Sequence, residues 1–160
     1  MPPRLALIKD AAKSRKKAPA KLRRAFSVSI YCRHKGAVLL VKHKRLGIWI
    51  PVGGEMLEGE TPIEAATREC LEETGHHPVF PRIHHVIGAP PGLLLYEEHD
   101  AGSKGVHMNF AFLAEIQSRN LVPCDEYTNV VWVTSIAEIP EESPLTVREA
   151  MPYALAAGIR

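Results

Sequence analysis

Between Thr61 and Gly75 the sequence TPIEAATRECLEETG spells out one helix, with a start, a body and a stop. Thr61 is a good N-cap, because its hydroxyl can accept from a free backbone N–H of the first turn. Glu64, three residues on, completes a Thr-x-x-Glu capping box. Pro62 falls at the first helical position, where a missing N–H costs nothing. Gly75 suits the left-handed residue that ends a helix. The pattern predicts a helix over 62–74. Its apolar stripe is narrow: Ile63, Ala66, Cys70 and Thr74, with Leu71 beside it. Such a helix must lay one edge on a larger apolar surface.

The flanks offer that surface. In AFSVSIYCR, Phe26, Val28, Ile30 and Cys32 alternate with other residues, the period of a strand. His34-Lys35-Gly36 can turn the chain into AVLLVKH, and Lys44–Gly47 can turn it again towards IWIPVGG. Further strands are expected at about 79–88, 92–98, 105–116 and 129–134. In the third of these, Val106, Met108, Phe110 and Phe112 alternate with His107, Asn109 and Ala111. A last helix should start near Ser143-Pro144, with Pro152 kinking it or ending its first part. Strands, helix, strands and helix in that order argue for an α/β fold, a mixed sheet with helices on its faces.

The chain has 160 residues, 46% hydrophobic and 24% charged, which suits one domain with one sizeable core. No apolar run is long enough to span a membrane. The start, MPPRLALIKDAAKSRKK, turns basic too early for a signal peptide. Cys32, Cys70 and Cys124 are too few and too scattered for a disulfide framework, so the cytoplasm is the expected compartment. Residues 1–24 carry nine Lys or Arg against Asp10 alone, a charge of +8. The net charge of +2 leaves −6 on residues 25–160. The division expected is a basic N-terminal helix or arm, 1–24, and a domain, 25–160. Such an arm can meet nucleic acid, an anionic surface, a phosphate-bearing ligand or an acidic partner subunit, or simply be solvated.

The stretch from Gly53 to Gly75 holds seven glutamates and one arginine. On the helix, Glu69 neighbours both Glu72 and Glu73, and Arg68 neighbours Glu72. Two carboxylates about 5 Å apart repel by roughly 3 kcal/mol at an effective dielectric near 20. A hard divalent cation such as Mg²⁺ resolves that repulsion, because it seeks carboxylate oxygen and shares its ligands with phosphate. Gly53-Gly54 allows close backbone approach just ahead of the helix. A solvated acidic face is the plain alternative for the glutamates taken alone.

The spacing goes further. Gly54, five residues, Glu60, seven residues and then RECLEETGH reproduce Gly-x5-Glu-x7-Arg-Glu-U-x-Glu-Glu-x-Gly-U, with U a bulky apolar residue. The sequence resembles the Nudix hydrolase family. Cys70 at the first U position is a mild departure, since cysteine packs as a small hydrophobe. His76 at the last is less usual. The segments VLLVKHKRLGIWIPVGGE and VVWVTSIAEIP extend the likeness over residues 25–140. It implies an α/β/α sandwich around a mixed sheet. It implies hydrolysis of a nucleoside diphosphate linked to another group, with Mg²⁺ or Mn²⁺ held by Glu69, Glu72, Glu73 and the carbonyl of Gly54. Arg68 would then orient the glutamates, and Glu60 would brace the loop.

A base must still take a proton from water. The candidates are Glu72 or Glu73, and Glu126 with Asp125 beside it, with Glu97 and Glu98 as rivals. A proline about fifteen residues past the motif goes with ADP-ribose-type members of the family, and Pro91 lies fifteen past His76. The stretch YEEHDAGSKGVHMNFAF is similar to that in bacterial nucleoside-diphosphate-sugar hydrolases. Lys104 and Arg45 are candidates to meet phosphate, and His107 and Asn109 to line the substrate face. The first expectation is therefore an NDP-sugar hydrolase of the ADP-ribose type, acting as a homodimer. The second is a (d)NTP pyrophosphohydrolase, kept open by Lys42, Lys44 and Arg45. A non-catalytic nucleotide- or RNA-binding module is a third, against which the intact glutamates speak. The paired histidines at 76–77 and 84–85 lack zinc-site spacing.

Overall fold

The computed structural model describes residues 23–83 and 87–156. Its centre is a parallel pair of strands, β1 (Arg24–His34) and β6 (Val106–Glu115), in register from Arg24↔Val106 to Arg33↔Glu115. On one side of β6 lies β5 (Leu93–Asp100), antiparallel. On the other side of β1 the sheet divides. Strand β2 (Ala37–His43) pairs with β1 only at Arg33↔Val38 and His34↔Ala37. Strand β4 (Val52–Glu55) takes the first half of β1 instead, from Ser27↔Glu55 to Ile30↔Val52. Strands β3 (Trp49–Ile50) and β7 (Tyr127–Val133) both pair with β2. The β1–β2 turn has positive φ at both Lys35 and Gly36, as a tight hairpin of this hand requires.

Helix α1 (Pro62–Thr74) covers one face of the sheet and helix α2 (Leu145–Ala156) the other. Period two divides the strand residues between them. Val28, Ile30, Cys32, Leu39, Val41, Phe112 and Ala114 pack with Ala65, Ala66 and Cys70 of α1. Tyr31, Val38, Leu40, Ala111 and Leu113 pack with Val147, Ala150, Met151 and Ala154 of α2. This is the α/β/α arrangement expected. The buried Arg33 guanidinium bridges the layers: it pairs with Glu115 and donates to the Ala154 carbonyl near the end of α2, at 2.7 Å.

Helix α1 starts and stops where its signals lie. The Thr61 hydroxyl accepts from the Glu64 N–H, and Glu64 Oε2 accepts from the Thr61 N–H at 2.8 Å. Gly75 has φ 79° and donates to the Leu71 carbonyl at 2.9 Å. One expectation is corrected, and two others are made definite. The strand expected at 79–88 reduces to one bridge, Val79↔Glu115; Pro78 and Pro81 on either side lack the N–H a ladder needs, and 84–86 lie outside the described residues. IWIPVGG forms two short strands, β3 and β4, divided at Pro51. Helix α2 runs through Pro152 to Ala156. Proline there costs one backbone bond, to the carbonyl of Arg148. The basic helix or arm expected over 1–24 lies outside the described residues up to residue 22, while Arg24 already belongs to β1.

Candidate active site

The division of the sheet at β4 sets up the site. Gly53 and Gly54 sit on β4 beneath α1, and two buried carboxylates of the helix, Glu69 and Glu73, come down on them. The Gly53 N–H donates to Glu73 Oε1 at 2.9 Å. A Cβ on Gly54 would stand 2.5 Å from Glu69 Oε1, so only glycine lets that carboxylate approach unhindered. The far side of α1 is held by β7, where the Tyr127 hydroxyl donates to the Glu73 carbonyl at 2.9 Å.

Arg68 organises the outer half of the cluster. Its Nε and Nη2 grip both oxygens of Glu60, at 2.6 and 3.0 Å. Its Nη1 reaches Glu69 Oε1 at 2.7 Å and Glu72 Oε2 at 3.3 Å. Nη2 also donates to the Glu55 carbonyl at 3.1 Å. Glu60 Oε2 in turn accepts from the Leu57 N–H at 2.8 Å, which closes the loop ahead of the helix. Glu60 is the main cause of a raised Arg68 pKa. One planar guanidinium thus fixes three carboxylates that would otherwise repel.

Burial and like charge act on the inner pair. The Glu73 carboxyl is pushed up to about 8, first by burial and then by Glu126 and Glu69, against the pull of the Gly53 N–H. Glu69 is also raised, by burial first, with Glu72 and Glu126 adding and Arg68 opposing. Glu126, on the loop before β7, therefore stands within electrostatic reach of both. That loop is fixed to the end of β2 by the Lys44 N–H, which donates to the Glu126 carbonyl at 2.8 Å. The donor set is all oxygen and strongly acidic, which fits a hard divalent cation. Among the described residues no three acidic, His or Cys side chains stand in a ready-made ligand arrangement. Glu72 is turned outward with its side chain 59% exposed, while Glu69 is engaged by Arg68 and Glu73 by Gly53.

The other candidates divide into two groups. Arg45, Lys104 and Glu126 all act electrostatically on His43 at the end of β2: burial and then Arg45 depress the His43 pKa, Glu126 opposes, and Lys104 adds to the depression. His107 and Asn109 lie on the sheet face that carries α2, and both have partners within the protein. His107 Nε2 lies 3.0 Å from Glu55 Oε1, a carboxylate that Arg23 grips with both Nη atoms at 2.6 Å. Glu55 is pulled down to about 2, chiefly by Arg23, with His107 adding and burial opposing. Asn109 Oδ1 accepts from Ser27 at 2.9 Å, and its Nδ2 donates to Ser29 and Glu97 at 3.0 and 3.3 Å. The rival bases Glu97 and Glu98 sit on β5, with Glu97 turned to the α2 face and Glu98 accepting from Tyr96 at 2.8 Å. Sequence reasoning missed Ser27, Ser29 and Glu55. The signal was there in FSVSI: two serines at period two on a strand that sends Val28 and Ile30 into the core.

The NUDIX domain family model matches residues 21–154. The chain belongs to the Nudix family. Its Nudix fold is shared with a NUDIX-family hydrolase from Clostridium perfringens, at TM-score 0.72 and 23% identity, over 84% of this chain and 97% of that one. An ADP-ribose pyrophosphatase from Streptococcus suis superposes at TM-score 0.60 and 16% identity, over 85% of this chain and 92% of its own. A Bacillus subtilis protein named "Putative 8-oxo-dGTP diphosphatase" is 50% identical over 40 residues, 25% of this chain and 27% of that protein. The match thus spans about a quarter of that relative's length. In this Nudix chain no helix among the described residues is long and apolar enough to cross a membrane.

Proposed function

We propose that the protein hydrolyses the diphosphate linkage of a nucleoside diphosphate sugar of the ADP-ribose type, releasing a nucleoside monophosphate and a sugar phosphate. The observation that carries the hydrolytic reading is the seating of the buried Glu69 and Glu73 carboxylates on Gly54 and Gly53, where burial first and then neighbouring carboxylates, Glu126 among them, raise the pKa of both. Glu69, Glu72, Glu73 and the Gly54 carbonyl would hold Mg²⁺ or Mn²⁺. Such an ion neutralises a diphosphate and lowers the pKa of water bound to it. Arg68 keeps Glu69 and Glu72 aimed and, through Glu60, keeps the loop in place. Glu126, exposed on the loop before β7, takes the proton from the attacking water. Lys104 and Arg45 supply positive charge for the phosphates.

Sugar and triphosphate substrates ask for different surroundings. A sugar needs neutral polar groups that match hydroxyls, and a triphosphate needs added cations. The face formed by Ser27, Ser29, Asn109 and Glu97 supports the first. The second reading, a (d)NTP pyrophosphohydrolase, is favoured by Lys104 and Arg45, whose charges act on the same His43 as Glu126, and by the 40-residue likeness to the Bacillus subtilis protein. Analysis of the phosphate products across ADP-ribose, other NDP-sugars and (d)NTPs with Mg²⁺ tests both. Release of AMP and ribose 5-phosphate from ADP-ribose supports the first, and pyrophosphate release from a triphosphate as the preferred reaction overturns it.

A further inference from the structure

Three aromatic rings lie in a row across the sheet. Phe26 of β1 stacks on Phe110 of β6, with centroids 5.9 Å apart and planes 27° apart. Tyr96 of β5, opposite Phe110 in the ladder, leans on it at 5.2 Å. Phe26 falls at period two with Val28 and Ile30, so the row lies on the face that carries α1. Even so, Phe26 is 49% exposed and Tyr96 46%. Rings in mutual contact, half in water and drawn from three strands, differ from apolar residues scattered singly over a surface. The row runs from β1 to the edge strand β5, whereas the Glu126 loop lies the other way, beside β7 and β2.

Positive charge gathers at one end of the row. Arg24, exposed and at period two from Phe26, shares its face. The exposed Arg23 and Lys104 stand together, the Arg23 Nη1 donating to the Lys104 carbonyl at 2.8 Å. The sequence up to and including Arg24 carries +8 in all. The neighbouring carboxylates are engaged: Arg23 pairs with Glu55, the Tyr96 hydroxyl donates to Glu98 at 2.8 Å, and the Gly102 N–H donates to Asp100 at 2.8 Å. Flat rings that accept bases, set beside cations that hold phosphates, are the two parts of a single-strand site. A second copy of the chain fits less well, because a two-fold contact sets a patch against itself and would bring two +8 segments together. We propose that Phe26, Phe110 and Tyr96 form a stacking platform for a single-stranded nucleic acid, whose backbone is drawn by Arg24 and the basic sequence ahead of it. Rings borne on a sheet in this way stack two or three bases.

Fluorescence anisotropy of a labelled oligoadenylate of about 12 nucleotides, with the full chain and no divalent ion, tests the platform. We expect affinity to fall about tenfold or more as salt rises from about 50 to about 200 mM, as phosphate contacts require. Phe26→Ala and Tyr96→Ala should each weaken binding about fivefold or more at fixed salt and leave the salt slope unchanged, because stacking is lost and charge is not. Arg24→Ala should lower the slope instead. Tyr96→Ala, on the edge strand, keeps the test decisive if Phe26→Ala disturbs β1. No binding, binding indifferent to both aromatic variants, or equal binding of a duplex overturns the platform. So does a dimer on sizing that Phe26→Ala dissolves, which would make the row a contact between copies. Tighter binding to equimolar phosphatidylserine–phosphatidylcholine vesicles, lost in the same variants, overturns it in favour of a membrane surface. The platform uses no carboxylate of the candidate active site, so neither reading falls with the other.

Discussion

The Gly53 backbone N–H donates to Glu73 Oε1 at 2.9 Å, so strand β4 itself positions a carboxylate of α1. Its neighbour Gly54 does the complementary thing for Glu69, by presenting no side chain. The two glycines thus serve different ends, and substitutions at them separate site from fold.

Gly54→Ala brings a methyl group against the flexible end of Glu69. The carboxylate can swing away, so the fold survives, while a displaced ligand costs activity. We expect kcat/KM to fall about 10–100-fold with little change in Tm. Gly53→Ala instead drives a methyl group into the backbone of Val28 and Ser29 on β1. It should cost about 1–3 kcal/mol or more of stability, read by urea unfolding. Equal effects on both quantities in both variants would refute this division.

Glu72→Gln and Glu73→Gln remove carboxylates assigned to the metal while keeping side-chain shape. Each should lower kcat by about two to four orders of magnitude with the far-ultraviolet circular dichroism unchanged. Near-normal turnover in both variants would reject the assignment.

Stability should respond to pH through Glu73, whose carboxyl is raised from 4.5 to about 8. Between those values the folded chain holds a proton that the unfolded chain has lost. Metal-free stability therefore falls as pH climbs from about 4.5 to about 8. Mg²⁺ needs the ionised form, so its stabilising effect grows over the same window. Thermal melts at pH 5.5 and pH 8 check both signs, with about 2–4 °C per kcal/mol for a chain of this size. Glu73→Gln should flatten both trends. A Mg²⁺ shift larger at the lower pH contradicts the account.

Arg68→Ala frees three carboxylates, those of Glu60, Glu69 and Glu72. Metal affinity measured by calorimetry should drop about 10–100-fold. Arg68→Lys should recover little of it, because an ammonium cannot match the two-pronged grip on Glu60. Full recovery with lysine would reduce Arg68 to a point charge.

Local signals were the legible part of the sequence. The cap at Thr61, the stop at Gly75 and the alternation in β1, β2 and β6 each depend on residues within one turn or one strand. The glutamate spacing was legible for the same reason, since α1 fixes the relation of Glu69 to Glu72 and Glu73. What escaped depends on strand order. Nothing near Asn109 in the chain shows that it meets Ser27 and Ser29, because that contact exists only once β6 lies parallel to β1. Glu97 read as a rival base until the register placed it opposite Asn109, on the face away from α1. The strand expected at 79–88 failed because its apolar content outweighed Pro78 and Pro81, whose missing N–H groups decide the matter.

The partnership of β1 with β6 joins residues 24–33 to 106–115, segments 82 positions apart in the chain. While the polypeptide leaves the ribosome, Glu69 and Glu73 emerge long before the strand that completes the floor under their helix. The cluster proposed to hold the ion is therefore completed late in biogenesis, and a chain cut short before residue 106 would lack the β1–β6 pairing that underlies its acidic helix.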